Sequence, residues 1–108
     1  MEPLRSSDLI RYIDECFAKI AEKNDILQMI ALDENYDPIR STIPDKQINL
    51  DYTGLFGSLL MKARRAVKLI DSNDELLEIR VRTQKHETFI TPDTSVTFIT
   101  VQNPVDLN

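Results

Sequence analysis

A long amphipathic stretch, residues 49–71, is the feature that most limits how this chain can fold. At about 100° per residue, its apolar side chains fall on one arc roughly 140° wide, which is typical of a helix packed on a core. The residues on this arc are Tyr52, Leu55, Phe56, Leu59, Leu60, Ala63, Ala66, Val67 and Ile70. Asn49 is expected to cap the helix, because its side chain can accept a hydrogen bond from the first turn. The rest of the chain must supply the surface that covers this stripe.

The same stretch contains the only two glycines of the 108-residue chain, Gly54 and Gly57. Each costs about 1 kcal/mol relative to alanine in a helix interior. Gly54, Ser58, Met61 and Arg65 follow one another at helical spacing, opposite the apolar stripe. Small residues beside an apolar one allow a second backbone to approach closely, so we interpret this face as a contact surface. The alternative is that both glycines are tolerated weak points on a solvated face.

Alternating and apolar runs predict five strands around this helix. They are residues 26–33, 38–43, 76–83, 86–92 and 95–102. The first two are joined by turn-forming residues and form a predicted hairpin, and the last three form a predicted antiparallel meander. A first amphipathic helix begins at Ser6 or Ser7 and ends near residue 24. The predicted order is therefore helix, two strands, long helix, three strands.

The simplest architecture for this order is an α/β (α+β) fold with one five-stranded antiparallel sheet. The long helix covers one face of the sheet and the N-terminal helix covers the other. If the last strand pairs with the first, strand 76–83 lies at an edge, where its free backbone groups can pair with another strand. That edge would adjoin the glycine-containing helix, which predicts a two-fold homodimer interface. Its candidate residues are Gly54, Ser58, Met61, Arg65, Leu76, Glu78 and Arg80.

Charge and composition limit the partners of the chain. The net charge of -5 argues against a nucleic-acid or anionic-membrane partner. The basic residues between 62 and 68 are interpreted as a solvated face that suits the negative end of the helix dipole. The single cysteine, Cys16, excludes an internal disulfide and predicts a core thiol in a reducing compartment. No apolar run is long enough to insert into a membrane, and no signal peptide is recognisable.

A single domain over residues 1–108 is expected, with a frayed lead-in at 1–6 and a short tail at 105–108. Catalytic, cofactor and metal sites are not expected in it. Both glycines lie in a helix, so no glycine-rich phosphate loop can form, and the only histidine, His86, is expected to be solvated at a hairpin turn. Residues 71–75 resemble the start of a calcium loop, but Leu76 and Arg82 stand where glycine and glutamate are required. This exclusion predicts a binding or assembly module that takes no small-molecule substrate.

Three segments of the sequence resemble the Roadblock family, specifically the roadblock-type light chains of cytoplasmic and axonemal dynein. They are LLMKARRAVKLID at 59–71, LLEIRVRTQKHETFITPD at 76–93 and FITVQNP at 98–104. The resemblance extends over about residues 9–104 and is most specific in the second half. The first hairpin departs from the family pattern, because the usual glycines are absent from residues 25–28 and 35–37. The type of its turn is left open by this difference.

The resemblance implies a profilin-like fold and a homodimer in which two sheets join edge to edge with their long helices side by side. It also implies a non-catalytic accessory subunit that binds the dynein intermediate chain and helps to assemble the motor tail and attach cargo. The implied location is the cytoplasm and the microtubule cytoskeleton, including the axoneme. Relatives with this fold scaffold or regulate Ras-like small GTPases, which is the alternative function.

Overall fold

A computed structural model describes residues 6–23 and 25–104. Its elements are α1 (Ser6–Ala21), β1 (Ile26–Leu32), β2 (Pro38–Ser41), α2 (Lys46–Ile70), β3 (Ile79–Arg82), β4 (Glu87–Pro92) and β5 (Thr97–Gln102). The predicted order of two helices and five strands is confirmed. The predicted frayed lead-in and the tail lie outside the described residues, apart from Ser6, where α1 begins.

The five strands form one antiparallel sheet in the order β2-β1-β5-β4-β3. The last strand pairs with the first, with Ile30 opposite Ile99 at the centre of the sheet. As predicted, this pairing leaves β3 at one edge, where β4 is its only neighbour among the described strands. The strand β2 forms the other edge. Hairpins join the strands that follow one another directly, α2 connects β2 to β3, and α1 precedes β1.

Each helix covers one face of the sheet, as the sequence predicts. Ile13 and Phe17 of α1 pack against Met29 and Ala31 of β1, together with Val96. On the other face, Leu60 of α2 packs against Ile30, Leu32, Ile90 and Ile99. The alternation along β1 explains this division, because successive side chains of a strand point to opposite faces. The run of apolar residues in β1 is therefore buried on both sides.

The β1–β2 turn contains a residue in the left-handed region, Tyr36, at φ 64°. This conformation favours glycine, but a tyrosine occupies it here. The carboxylate of Asp33 stabilises the turn by accepting hydrogen bonds from the backbone N–H groups of Asn35 and Asp37, at 2.9 and 3.0 Å. A Cβ atom placed on Gly57 of α2 would lie 3.4 Å from the Cβ of Tyr36. Tyr36 therefore packs against α2 at Gly57, where an added Cβ would make an ordinary van der Waals contact.

The face of α2 that packs on the core is rotated relative to the predicted stripe. Thr53, Gly57 and Leu60 are its buried residues. Four residues of the predicted stripe are exposed instead, namely Leu55, Leu59, Ala66 and Ile70. The periodicity predicted one wide apolar arc, but the core uses only the part of it that is centred on Leu60. The remaining apolar side chains of the arc are left at the surface.

The start of α2 also differs from the prediction, because the helix begins at Lys46 and Asp45 is its N-cap. One carboxylate oxygen of Asp45 accepts a hydrogen bond from the backbone N–H of Ile48, at 2.9 Å. The backbone N–H of Asn49 donates to the carbonyl oxygen of Asp45 at 3.0 Å, so Asn49 lies within the first turn. An aspartate is as good a cap as an asparagine, and it adds a favourable charge at this end of the helix dipole.

Replacing Asp45 with alanine is expected to lower the free energy of unfolding by about 1 kcal/mol, because an N–H group of the first turn loses its acceptor. Urea denaturation of the two proteins measures the difference. Asp51→Ala is the matched control, since its exposed carboxylate accepts a hydrogen bond from the Gln47 side chain rather than from the backbone of the first turn, and it should change stability by less than about 0.5 kcal/mol. Equal losses in the two variants would contradict the assignment of the cap.

Candidate functional site

The strand β3 is an open edge of the sheet. Its register with β4 runs from Ile79 opposite Ile90 to Arg82 opposite Glu87. In the described part of the chain no strand pairs with its outer side. An edge of this kind presents free backbone N–H and C=O groups that can bind another strand.

An apolar cleft of about 560 Å³ lies between α2 and this edge. Its walls include Tyr52, Leu55 and Leu59 of α2 on one side and Val81 of β3 on the other. Leu55 is 72% exposed, although it belongs to the apolar arc that the sequence assigned to the core. Exposed apolar side chains that form a continuous patch mark interaction surfaces in soluble proteins. We call Leu55, Leu59 and Val81 the edge patch.

The helical half of the predicted interface lies elsewhere on α2. Gly54, Ser58, Met61 and Arg65 are all exposed, and a Cβ atom on Gly54 would meet nothing within 4 Å. Gly54 and Met61 lie one turn before and one turn after Gly57, which contacts Tyr36 of the β1–β2 turn. They therefore lie on the flank of α2 that faces β2, whereas the edge patch lies on the flank that faces β3.

The strand half of the predicted interface is divided between the two faces of the sheet. Leu76 precedes β3 and packs, half-buried, against the core on the α2 side. Glu78 and Arg80 are exposed. The guanidinium carbon of Arg80 lies 5.3 Å from the ring centroid of Phe89, on the face opposite α2. The structure thus does not bring the seven predicted interface residues together in one patch.

Sequence reasoning missed the buried carboxylate of Glu87, which is 0% exposed. It forms an ion pair with Arg80 across strands β3 and β4. The Arg80 side chain is 54% exposed, so the pair is buried only on the Glu87 side, and it links the edge strand to its neighbour. The sequence does show two alternating arginines, Arg80 and Arg82, followed by Glu87 in the next strand. That these side chains are neighbours becomes clear only when the register of the two strands is known.

A second cleft, of about 640 Å³, lies at the C-terminal end of α2. We call it the basic cleft, after the three cationic side chains that line it, Arg64, Arg65 and Lys68. Leu76, Leu77 and Pro92 also belong to its lining. Leu77 is 76% exposed and lies in the segment between α2 and β3. The sequence predicted that strand β3 begins at residue 76, but it begins at Ile79, and this segment instead borders the cleft.

Two hydrogen bonds hold side chains around the basic cleft. Arg64 donates from Nη1 to the hydroxyl oxygen of Tyr36 at 2.8 Å. On the far side, the hydroxyl group of Tyr12 donates to the carboxylate of Asp93, also at 2.8 Å. This hydrogen bond, together with partial burial and the charge of Asp93, raises the pKa of Tyr12 above its ordinary value. The carboxylate of Asp93, which lines the cleft, is thereby engaged by Tyr12.

The structure also places His86 and Cys16, which the sequence singled out. His86 is half-buried and lines the cleft beside the edge patch, rather than being fully solvated as predicted. Cys16 is half-buried on α1. Within residues 6–23 and 25–104, no three His, Cys, Asp or Glu side chains are grouped so that they could hold a metal ion. Neither α1 nor α2 combines the length and the apolar character of a membrane-crossing helix.

Comparison with known proteins identifies the family. The family model of the Roadblock/LC7 domain matches residues 12–103, which is most of the chain. The crystal structure of a Roadblock/LC7 domain from Streptomyces avermitilis is similar to this fold with a TM-score of 0.66 and 10% sequence identity. That similarity covers 73% of this chain and 67% of the bacterial chain, and it concerns the fold alone. Because the family model matches most of the sequence, the chain belongs to the Roadblock/LC7 domain family.

Proposed function

We propose that this chain is a non-catalytic accessory light chain of a dynein motor and that it works as a homodimer. The Roadblock/LC7 domain is a non-catalytic adaptor and regulatory domain, and such domains typically form dimers and protein assemblies. The observation that carries the proposal is the open edge of β3 with the apolar edge patch beside it. Both features are suited to binding protein rather than to performing chemistry on a small molecule.

The proposed dimer joins two β3 edges across a two-fold axis, which extends the sheet from one subunit into the other. Backbone hydrogen bonds would pair the strands, and Leu55 and Leu59 of each α2 would meet the partner subunit on one face of the joined sheet. Covering apolar surface contributes roughly 25 cal/mol for each Å² removed from water. The edge patch therefore supplies a hydrophobic driving force that strand pairing alone lacks.

The proposed partner of this dimer is a segment of the dynein intermediate chain, and the proposed role is to help assemble the motor tail and attach cargo. The support is the resemblance of residues 59–71 and 76–93 to the roadblock-type light chains of dynein. The same proposal implies a location in the cytoplasm and on the microtubule cytoskeleton, including the axoneme. A two-fold dimer presents each binding surface twice, which suits a subunit that joins paired chains.

The alternative is a scaffold or regulator of a Ras-like small GTPase. The observation behind it is the fold itself, because a shared fold does not determine the partner. The fold is also similar to that of a bacterial domain with 10% sequence identity, so the similarity is not limited to motor subunits. This alternative makes a different measurable prediction, since it requires binding to a GTPase or a change in the rate of GTP hydrolysis.

Immobilised intermediate-chain segments are expected to retain the wild-type protein at micromolar concentration, because the dimer would provide a ready-made docking platform. The matched comparison is a Leu55→Glu variant, which should fold but stay monomeric and bind the segment more weakly. In parallel, GTP hydrolysis by candidate GTPases is measured with and without the protein. Absence of segment binding together with a change in GTP hydrolysis would exclude the motor function in favour of the alternative.

A further inference from the structure

The basic cleft is notable for its charge, because the chain as a whole is acidic. The net charge is -5, yet Arg64, Arg65 and Lys68 line one cavity together. Among the described residues, the ion pairs lie elsewhere, namely within α1, between α1 and β2, and between β3 and β4. The three cationic side chains thus have no carboxylate partner within ion-pair distance in the described part of the chain.

The helix dipole accounts for only one of these three charges. Of the three, Lys68 is the one in the last turn of α2, where a cation is favoured by the negative end of the helix. Its ammonium group lies 3.4 Å from the carbonyl oxygen of Ser72, just beyond the helix. Arg64 and Arg65 lie before the last turn, and the dipole effect falls off within that turn. The helix dipole therefore does not explain why Arg64 and Arg65 lie beside the cleft.

The geometry of Arg64 is suited to binding an anion. This side chain is half-buried, and its hydrogen bond to the Tyr36 hydroxyl fixes one end of the guanidinium group. A guanidinium group has five N–H donors, so the others stay available for a carboxylate. Fixing the group in advance reduces the entropy lost on binding.

The residues that line the cleft outside α2 are partly apolar. Leu77, which is largely exposed, and Pro92 line the cleft together with Leu76. Two acidic residues, Glu75 and Asp93, also line the cleft. With three cationic and two anionic side chains in the lining, its formal net charge is +1. A volume of about 640 Å³ is enough for several side chains of a bound segment.

We propose that the basic cleft binds an acidic segment of a partner protein. Carboxylates of the segment would face Arg64, Arg65 and Lys68, while one apolar side chain of the segment would pack on Leu77 and Pro92. This inference rests on the proposed function, because it takes the chain to be a binding subunit. It adds the chemistry of the segment that is bound. A nucleic acid is disfavoured as the ligand, because none of the described residues that line the cleft is aromatic and could stack on a base.

The test measures fluorescence anisotropy of a labelled synthetic peptide in which leucine alternates with pairs of aspartate and glutamate. A matched peptide carries asparagine and glutamine at the acidic positions. The full-length protein should bind the acidic peptide, bind the amide peptide much more weakly, and lose affinity as salt is raised. A double variant, Arg65→Glu with Lys68→Glu, should weaken binding of the acidic peptide by about tenfold or more.

Lys62→Glu is the control variant, because Lys62 is exposed on the same helix but does not line the cleft. It changes the net charge by half as much as the double variant and should alter affinity by less than about threefold. Circular dichroism and light scattering verify that each variant is folded and has the wild-type oligomeric state. The milder pair Arg65→Gln with Lys68→Gln provides the same test without charge reversal.

Three results would overturn the inference. They are equal binding of the amide peptide, equal losses in Lys62→Glu and the double variant, and tighter binding of single-stranded RNA than of the acidic peptide. Binding of the intermediate-chain segment tests the dynein proposal separately. If that segment binds while the acidic peptide does not, the cleft assignment fails alone. If the acidic peptide binds through the cleft while the segment does not, the motor function fails alone.

Discussion

Replacing Leu60 with aspartate is expected to leave the chain unfolded. Leu60 is 0% exposed and lies in the core between α2 and the sheet. Ile30, Leu32, Ile90 and Ile99 form the rest of this core cluster, so the new carboxylate would have no polar partner. Burying an isolated charge costs more than the roughly 5–15 kcal/mol by which a domain is stable. The variant should therefore lose its native far-UV circular dichroism spectrum and its cooperative urea transition.

The matched control is Leu69→Asp, on the same helix but at a side chain that is 79% exposed. It should keep the native spectrum, because its carboxylate remains in water. A milder variant, Leu60→Ala, should lower the free energy of unfolding by about 2–5 kcal/mol. A folded Leu60→Asp protein with a cooperative transition would show that α2 turns a different face to the sheet.

The comparison of Leu59 with Leu60 shows what the sequence could predict about α2. Both residues belong to the apolar arc, and periodicity assigned both to the core. The structure buries Leu60 and leaves Leu59 exposed. The arc is wide because it combines residues that face the core with residues at the surface. A hydrophobic pattern reports that a face is apolar, but it does not report which surface covers that face.

The architecture was predictable because each element carries its own local signal. Alternation in the strands, the apolar run of β1 and the amphipathic helices together leave few ways to bury the apolar side chains. The rotation of α2 was not predictable from local patterns, because packing between residues distant in sequence decides which face of a helix is buried. Tyr36 packs on Gly57, and this contact joins a turn to a helix that are distant in sequence. The sequence pattern singled out Gly57, but it did not indicate that Tyr36 contacts it.

The candidate surfaces were predictable to different degrees. The open edge of β3 followed from the strand order, and the structure confirms that position. The faces to which Arg80 and Leu76 point depend on where the strand begins and on its register, which local patterns do not fix. The basic cleft was missed because part of its apolar lining comes from residues before Ile79 that the sequence assigned to the strand. The basic side chains alone are equally typical of a solvated helix end.

Replacing Leu55 with glutamate is expected to convert the proposed dimer into monomers. The side chain is exposed in the single subunit, so the variant should fold with the wild-type circular dichroism spectrum. In the dimer, the new carboxylates would be placed in an apolar contact and would repel each other across the two-fold axis. Interface positions of this kind change the dissociation constant by on the order of a hundredfold. Light scattering coupled to size-exclusion chromatography at micromolar concentration measures the mass directly.

Met61→Glu is the informative counterpart, because Met61 is also exposed on α2 but lies on the flank that faces β2. If the edge patch forms the dimer, Met61→Glu should remain dimeric while Leu55→Glu becomes monomeric. The reverse result would place the contact on the glycine-containing flank that the sequence indicated, and Gly54→Leu should then dissociate the dimer as well. If both glutamate variants were dimers of wild-type affinity, neither flank of α2 would form the interface. The pair of variants thus decides which side of one helix meets the second subunit.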